Sequence, residues 1–230
     1  MSLNKYFIGI DIGGTKCTLS VSNMELKIFH RIQFATHTER GPDYTINEIL
    51  KIIDEFKIKI DFEKVKSIGI SCGGPLNSKR GLVMSPPNLP GWDNIPIVEI
   101  INNKTDKPTF IQNDANACAL AEWRYGAGIG TQNMIFLTFG TGLGAGLILN
   151  GQLYTGSNDN AGEVGHVRLD DEGPVGFNKA GSFEGFCSGS GIAKLAQIIA
   201  EEKLNKGEKV SYCSSFEELH AISTLQLSKL

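Results

Sequence analysis

Apolar and polar positions alternate along Tyr6-Phe7-Ile8-Gly9-Ile10-Asp11-Ile12, and again along Cys17-Thr18-Leu19-Ser20-Val21-Ser22. Each run predicts a strand, and Gly13-Gly14-Thr15-Lys16 between them predicts a tight turn. Residues 26–34 alternate weakly, as a third strand would. Apolar residues at Ile46, Ile49, Leu50, Ile53 and Phe56 then fall at helical spacing, which predicts a helix over residues 43–60. A buried strand is expected over residues 65–72, ending in Gly73-Gly74-Pro75. The stretch 81–92 carries too much proline for regular structure, and a short helix follows over 95–102. Within that loop Asn88 and Trp92 are candidates to line a polar ligand, with Trp92 alternatively an anchor on the core.

Thr109-Phe110-Ile111 is an extended lead-in that breaks at Asn113-Asp114 into an alanine-rich run, with the helix expected over 117–125. Alanine favours helix and Asp or Asn favours its cap, so a strand is expected to run into a helix there. Asp114 would then sit at the helix N-terminus and at the end of a sheet, where open α/β sheets collect ligands. Capping alone would also explain an aspartate at that position, and this stretch does not decide between the two roles.

A strand is expected over 133–139, followed by Gly140-Thr141-Gly142-Leu143-Gly144-Ala145-Gly146, then Leu147-Ile148-Leu149 and a closing Asn150-Gly151 turn. Strand, glycine turn, strand thus occurs twice, and each glycine tip can offer backbone N–H groups to phosphate. Asp11, beside the first tip, suits Mg²⁺ held through water, because Mg²⁺ usually keeps several waters. The first turn is no Walker loop, since Gly-x-x-x-x-Gly-Lys-Ser/Thr is absent and a strand follows. Gly140-x-Gly142-x-x-Ala145 fits a dinucleotide fingerprint, but such a loop must open a helix and this one leads into a strand. Downstream, Glu163 and His166 share a glycine-rich loop. The serines and glycines of 181–191 precede a helix over 192–203, where capping is their first role. A weak helical pattern closes the chain over 216–230.

Composition changes this picture little. A hydrophobic content of 41%, a charged content of 20% and a mean hydropathy of −0.09 suit an ordinary globular protein. The net charge of −3 argues against binding nucleic acid or an anionic membrane, and no run reaches the length of a membrane span. Five widely spaced cysteines without a Cys-x-x-Cys pair point to a reducing, cytoplasmic setting.

Taken together, Asp11-Ile12-Gly13-Gly14-Thr15-Lys16, Asn88-Leu89-Pro90-Gly91-Trp92, Asn113-Asp114-Ala115-Asn116-Ala117, Gly140 to Gly146, Ala161-Gly162-Glu163-Val164-Gly165-His166 and Glu184 resemble the ROK family (repressors, uncharacterised reading frames and sugar kinases). The family belongs to the actin-like, hexokinase-like superfamily. The resemblance implies an α/β fold of two related actin-like, ribonuclease H-like domains with mixed sheets flanked by helices, and an active site in the cleft between them. Residues 1–112 would form the first domain and 113–230 the second, shortened at its end. It implies an ATP-dependent kinase for a hexose or amino-hexose, with Asp114 as the general base. Asn88, Asn113, Glu163, His166 and Glu184 would hold the sugar, with Gly74 beside them. Gly13, Gly14, Thr15, Lys16, Gly140, Thr141 and Gly142 would bind ATP phosphates, with Asp11 near Mg²⁺. A homodimer or higher homo-oligomer is expected.

Two departures stand out. Many ROK kinases carry Cys-x-Cys-Gly-x-x-Gly-Cys before the glutamate aligned with Glu184, whereas residues 175–182 here hold no cysteine. No zinc is expected. His166 is then expected to be free for sugar, with Phe177 and Phe183 ordering the loop by apolar packing. The late Gly-Gly motif that helps bind adenosine in the family is also absent after Leu204. A non-catalytic sugar-binding or regulatory homologue is therefore the alternative. The helix-turn-helix of the repressor branch is not expected, because the first strand begins by about Tyr6.

Overall fold

The computed structural model describes residues 5–215. Period-two burial is plain in the first two strands, where Ile8, Ile10 and Ile12 of β1 (Tyr6–Ile12) and Cys17, Leu19 and Val21 of β2 (Lys16–Ser22) are buried. Together with β3 (Ile28–Ala35) they form an antiparallel meander. Helix α1 (Gly41–Lys59) buries Ile46, Ile49, Ile52, Ile53 and Phe56 along one stripe, and the chain returns through β4 (Val65–Cys72) parallel to β1.

Short β5 (Leu76–Asn77) and β6 (Leu82–Val83) pair with each other, so regular structure reaches into the segment expected to be irregular. The prolines start only at Pro86. Before them Val83 exchanges backbone hydrogen bonds with Ile95, and the Met84 N–H donates to Pro75 C=O. Helix α2 (Ile97–Thr105) leads into β7 (Thr109–Asn113), which lies parallel to β4 and runs straight into α3 (Asp114–Tyr125). The sheet order is β3-β2-β1-β4-β7. α1 and α2 share a core with the isoleucine face of this sheet, and Trp92 (1% exposed) and Leu89 belong to that core. Trp92 is thus an anchor for its loop and not a ligand-lining residue.

The opposite sheet face is uncovered by α1 and α2. Across it run Ser20, Gly9, Gly69 and Phe110 as register neighbours, flooring a groove of ≈ 670 Å³ whose wall includes Ala117 and Leu120 of α3.

The described residues divide into two compact units: 5–121 with Thr155–Asn160, and Glu122–Tyr154 with 161–215. In the second, β8 (Met134–Phe139), β9 (Leu143–Leu149) and β10 (Gln152–Tyr154) form an antiparallel sheet of order β10-β9-β8. The glycine run after β8 opens a strand, as its sequence context required. A small hairpin of β11 (Val175–Gly176) and β12 (Lys179–Ala180) precedes α4 (Phe183–Cys187) and α5 (Gly189–Asn205). Ser182 and Ser188 cap these helices by accepting from the N–H groups of Gly185 and Gly191 at 3.0 Å. The helical pattern of 216–230 lies outside the described residues. Among the described residues no helix is long and apolar enough to cross a membrane.

Candidate functional site

In the first unit the parallel strands β1, β4 and β7 end level with one another, since Ile12, Cys72 and Asn113 are register partners. Just beyond them lie the Gly13-Gly14-Thr15 turn, Gly73-Gly74 and the start of α3. The Asn88 loop packs against two of these turns. A Cβ on Gly14 would collide with the Asn88 carbonyl, and one on Gly73 would touch its side-chain amide at 3.5 Å. The Asn113 amide nitrogen sits 3.3 Å from where a Gly74 Cβ would be. So Gly13, Gly14, Gly74, Asn88, Asn113 and Asp114 gather at one end of one sheet. Glycine is needed at Gly14 because backbone meets backbone there.

Asp114 opens α3, and the capping question has a geometric answer. The Ala115 N–H donates to Asn113 Oδ1 at 3.0 Å, which is the contact expected of a cap, and to Asp114 Oδ1 at 2.8 Å. Asn113 therefore supplies a cap that Asp114 would otherwise have to provide alone. Among the described residues Asp114 Oδ2 has no hydrogen-bond partner. Gln112 and Asn116, neither given a role from sequence, brace this corner. Gln112 Oε1 accepts from the Asn113 N–H at 2.9 Å and from Asn116 Nδ2 at 3.1 Å. Asn116 is 3% exposed and its Oδ1 meets no donor.

Asp11 lies one residue before the end of β1 and on the groove face, opposite Ser71 in register. Enclosure by its neighbours raises its carboxyl pKa above the ordinary value, and the negative charge of Asp114 raises it further. The Ser71 hydroxyl and the Lys16 ammonium pull the other way. Solvent still reaches Asp11, so these influences are screened. Two carboxylates that feel each other beside a glycine turn and a lysine make a site that a divalent cation would relieve. That fits Mg²⁺, which needs only one or two carboxylates when phosphate and water complete its shell. On the buried face, Cys72 is pushed up to about 12 by burial, with Asp114 adding to it.

The second unit collects the remaining candidates by itself. Gly140-Thr141-Gly142 joins β8 to β9, and Glu184 reaches it from α4, accepting from the Leu143 N–H at 3.0 Å. Gly165 packs against Leu143 C=O and Glu184 Cβ, and Gly162 C=O accepts from the Ala145 N–H at 2.8 Å. These contacts carry Glu163 and His166 on the loop beside the hairpin. The two face each other at 3.6 Å between Oε2 and Nε2, both solvent-accessible.

Phe177 does not pack into a core as expected. It is 64% exposed and meets the His166 ring edge-on, with centroids 4.8 Å apart. The loop is ordered instead by polar contacts and by close glycine packing. Lys179 Nζ donates to His166 C=O at 2.7 Å, and Lys194 Nζ to Val175 C=O at 2.8 Å. Gly176 approaches the backbone of Gly185 too closely for any side chain. With Phe177 at φ 45° and Asn178 at φ 61°, the hairpin tip turns through left-handed backbone and leaves the ring outside.

Residues 7–227 match the model of the ROK family. The chain is 34% identical to the glucokinase of Thermotoga maritima over 189 residues, covering 82% of this chain and 59% of that protein. Among solved structures it superposes on a ROK family glucokinase from Streptomyces griseus, in complex with glucose and AMPPNP, with a TM-score of 0.69 and 31% identity. That match covers 88% of this chain and 63% of the glucokinase. A ROK family transcriptional regulator, a homologue of the E. coli MLC protein, gives a TM-score of 0.77 at 25% identity, over 96% of this chain and 56% of the regulator. The chain thus spans about 60% of the length of the glucokinases it matches. The family model, the level of identity and the shared mixed-sheet architecture agree: this chain belongs to the ROK family.

Proposed function

We propose that the protein transfers the terminal phosphoryl group of ATP to a hydroxyl of a hexose or amino-hexose. The observation that carries this reading is Asp114, with one carboxylate oxygen held by the Ala115 N–H and the other uncommitted, beside Asp11 and the Gly13-Gly14-Thr15 turn. Phosphoryl transfer asks little covalent work of a protein beyond positioning, charge neutralisation and one base. Asp114 Oδ2 takes the hydroxyl proton as the new O–P bond forms and the bond to the departing ADP oxygen breaks. Within the first unit, Asn88, Asn113 and Gly74 lie beside Asp114 to orient the sugar. The glycine turns and Lys16 receive phosphate oxygens. Asp11 would hold Mg²⁺ through water, and the bound ion would supply neutralisation of phosphate charge. The reading places the protein in the cytoplasm and expects a homodimer or larger homo-oligomer.

A coupled ADP-release assay across glucose, mannose, fructose and N-acetylmannosamine tests this. At least one sugar should be turned over, and Asp114→Ala should cut that turnover by about 10²–10⁴-fold. Sugar-induced thermal stabilisation should survive the substitution. Parental turnover by Asp114→Ala would remove Asp114 from the role of base. The likeness to a transcriptional regulator supports a second reading, non-catalytic sugar binding. Stabilisation by a sugar that is never phosphorylated would favour it.

A further inference from the structure

A turn that binds phosphate through backbone N–H groups must keep its own carbonyls away from the anion. In the Gly13-Gly14-Thr15 turn this work falls to Thr36, a fully buried residue just past β3. The Thr36 hydroxyl donates to Gly13 C=O at 2.5 Å, and its N–H donates to Thr15 C=O at 3.0 Å. The Thr36 carbonyl is itself held by the hydroxyl of Thr45 in α1 at 3.1 Å. Gly13 N–H donates inward to Lys16 C=O at 3.1 Å. Among the described residues the N–H groups of Gly14 and Thr15 have no acceptor. What remains for a ligand is therefore a pair of consecutive donors with two of the turn's carbonyls tied back.

The second unit solves the same problem with different residues. The Gly189 N–H donates to Gly140 C=O at 2.9 Å, and the Ser190 hydroxyl to Thr141 C=O at 2.8 Å. Gly140 N–H donates to Gly142 C=O at 3.0 Å. The N–H groups of Thr141 and Gly142 again have no acceptor among the described residues. One hydroxyl and one backbone N–H from a short neighbouring segment take two turn carbonyls in both places. Such a recurrence is hard to ascribe to packing, because the clamp comes from a strand end in one unit and a helix start in the other.

We propose that Thr36, and in the second unit Ser190, are positioning residues that make these glycine turns anion-binding by withdrawing their carbonyls. The proposal deepens the kinase reading and rests on it only for the identity of the phosphate donor. The hydrogen count agrees. Thr36 spends its single hydroxyl hydrogen on Gly13, so in the 3.5 Å contact with Cys17 the thiol must donate. Burial raises the Cys17 pKa and keeps that thiol protonated.

The test titrates the full chain with tripolyphosphate by calorimetry and follows nucleotide and sugar KM where turnover is found. Thr36→Val keeps the shape and removes the hydroxyl, freeing a half-buried carbonyl toward the site. It should weaken tripolyphosphate binding by up to about tenfold, as loss of one partly buried hydrogen bond implies. The sugar KM should stay within about twofold, because Thr36 touches no sugar ligand. Thr36→Ser, which keeps the hydroxyl, should restore parental binding, and Ser190→Ala should weaken it by a smaller factor, because the Ser190 hydrogen bond is exposed to solvent. Equal binding by parent and Thr36→Val overturns the proposal, as does a Thr36→Ser protein as weak as Thr36→Val, or a parent that binds no tripolyphosphate. If no sugar is phosphorylated the kinase reading fails alone, since the polyphosphate titration still reports on the clamp.

Discussion

Asp11 is where single-residue electrostatics are most exposed to measurement. Its carboxyl pKa is raised above the unfolded value, so the fold binds this proton more tightly than the unfolded chain does. Its contribution to stability is therefore fully present below the ordinary aspartate range and is lost as pH rises through the raised value. Asp11→Asn, which cannot ionise, should melt above the parent at pH 7, and the gap should close as pH falls below the aspartate range. Solvent screening limits the gain to under about 1 kcal/mol. A gap that widens on acidification would reverse the sign assigned here. Gly14 offers a steric counterpart. Gly14→Ala must push the Asn88 carbonyl away, and the phosphate turn and the Asn88 loop move together. The expected result is a rise in both nucleotide and sugar KM, read from initial rates, where Thr36→Val shifts only the former.

Among the elements, those with strong periodicity were legible from sequence and those closed by distant contacts were not. The stripe of α1 was visible because Ile46, Ile49, Ile53 and Phe56 repeat at helical spacing. Ile49 and Ile53 are fully buried, so either Ile→Ala change should cost about 2–5 kcal/mol, measured as a lower urea midpoint. The strand-to-helix corner at Asn113-Asp114 was equally readable, since alanine and a capping residue have local preferences. β5 and β6 were not, because each is two residues long and depends on Pro75 and Ile95 to close its hydrogen bonds. The position of Phe177 was missed for a related reason. An aromatic residue in a loop without cysteines suggests packing, whereas two successive left-handed residues direct it outward. Thr36 carries no local signal at all; its role comes from hydrogen bonds to Gly13 and Thr15, more than twenty residues back.

At the scale of the whole molecule, each unit has its own glycine hairpin and its own set of polar side chains. The first is built on a buried isoleucine core; the second holds its loops with lysine-to-carbonyl bonds and glycine contacts. The ordering of the His166 loop by Lys179, Lys194 and Gly176 suggests that the second unit needs no metal. Elemental analysis of purified protein should find zinc well below stoichiometry, and chelator treatment should leave the melting temperature unchanged. One zinc per chain, or a chelator-induced fall in melting temperature, would contradict this.

The placement of the cysteines makes the first unit report on its own opening. Cys17 and Cys72 both flank Ile12 in register and are wholly buried, while Cys118 on α3 is exposed. A thiol at about 12 yields almost no thiolate at pH 8, so Cys72 is shielded from alkylation by protonation as well as by burial. Cys118 should take up a maleimide at once. Modification of Cys72 should await rare exposures of the sheet, and its rate then counts those openings. Mass-resolved labelling in the presence of tripolyphosphate would turn that slow clock into a measure of how strongly an anion at the turn holds the sheet end shut.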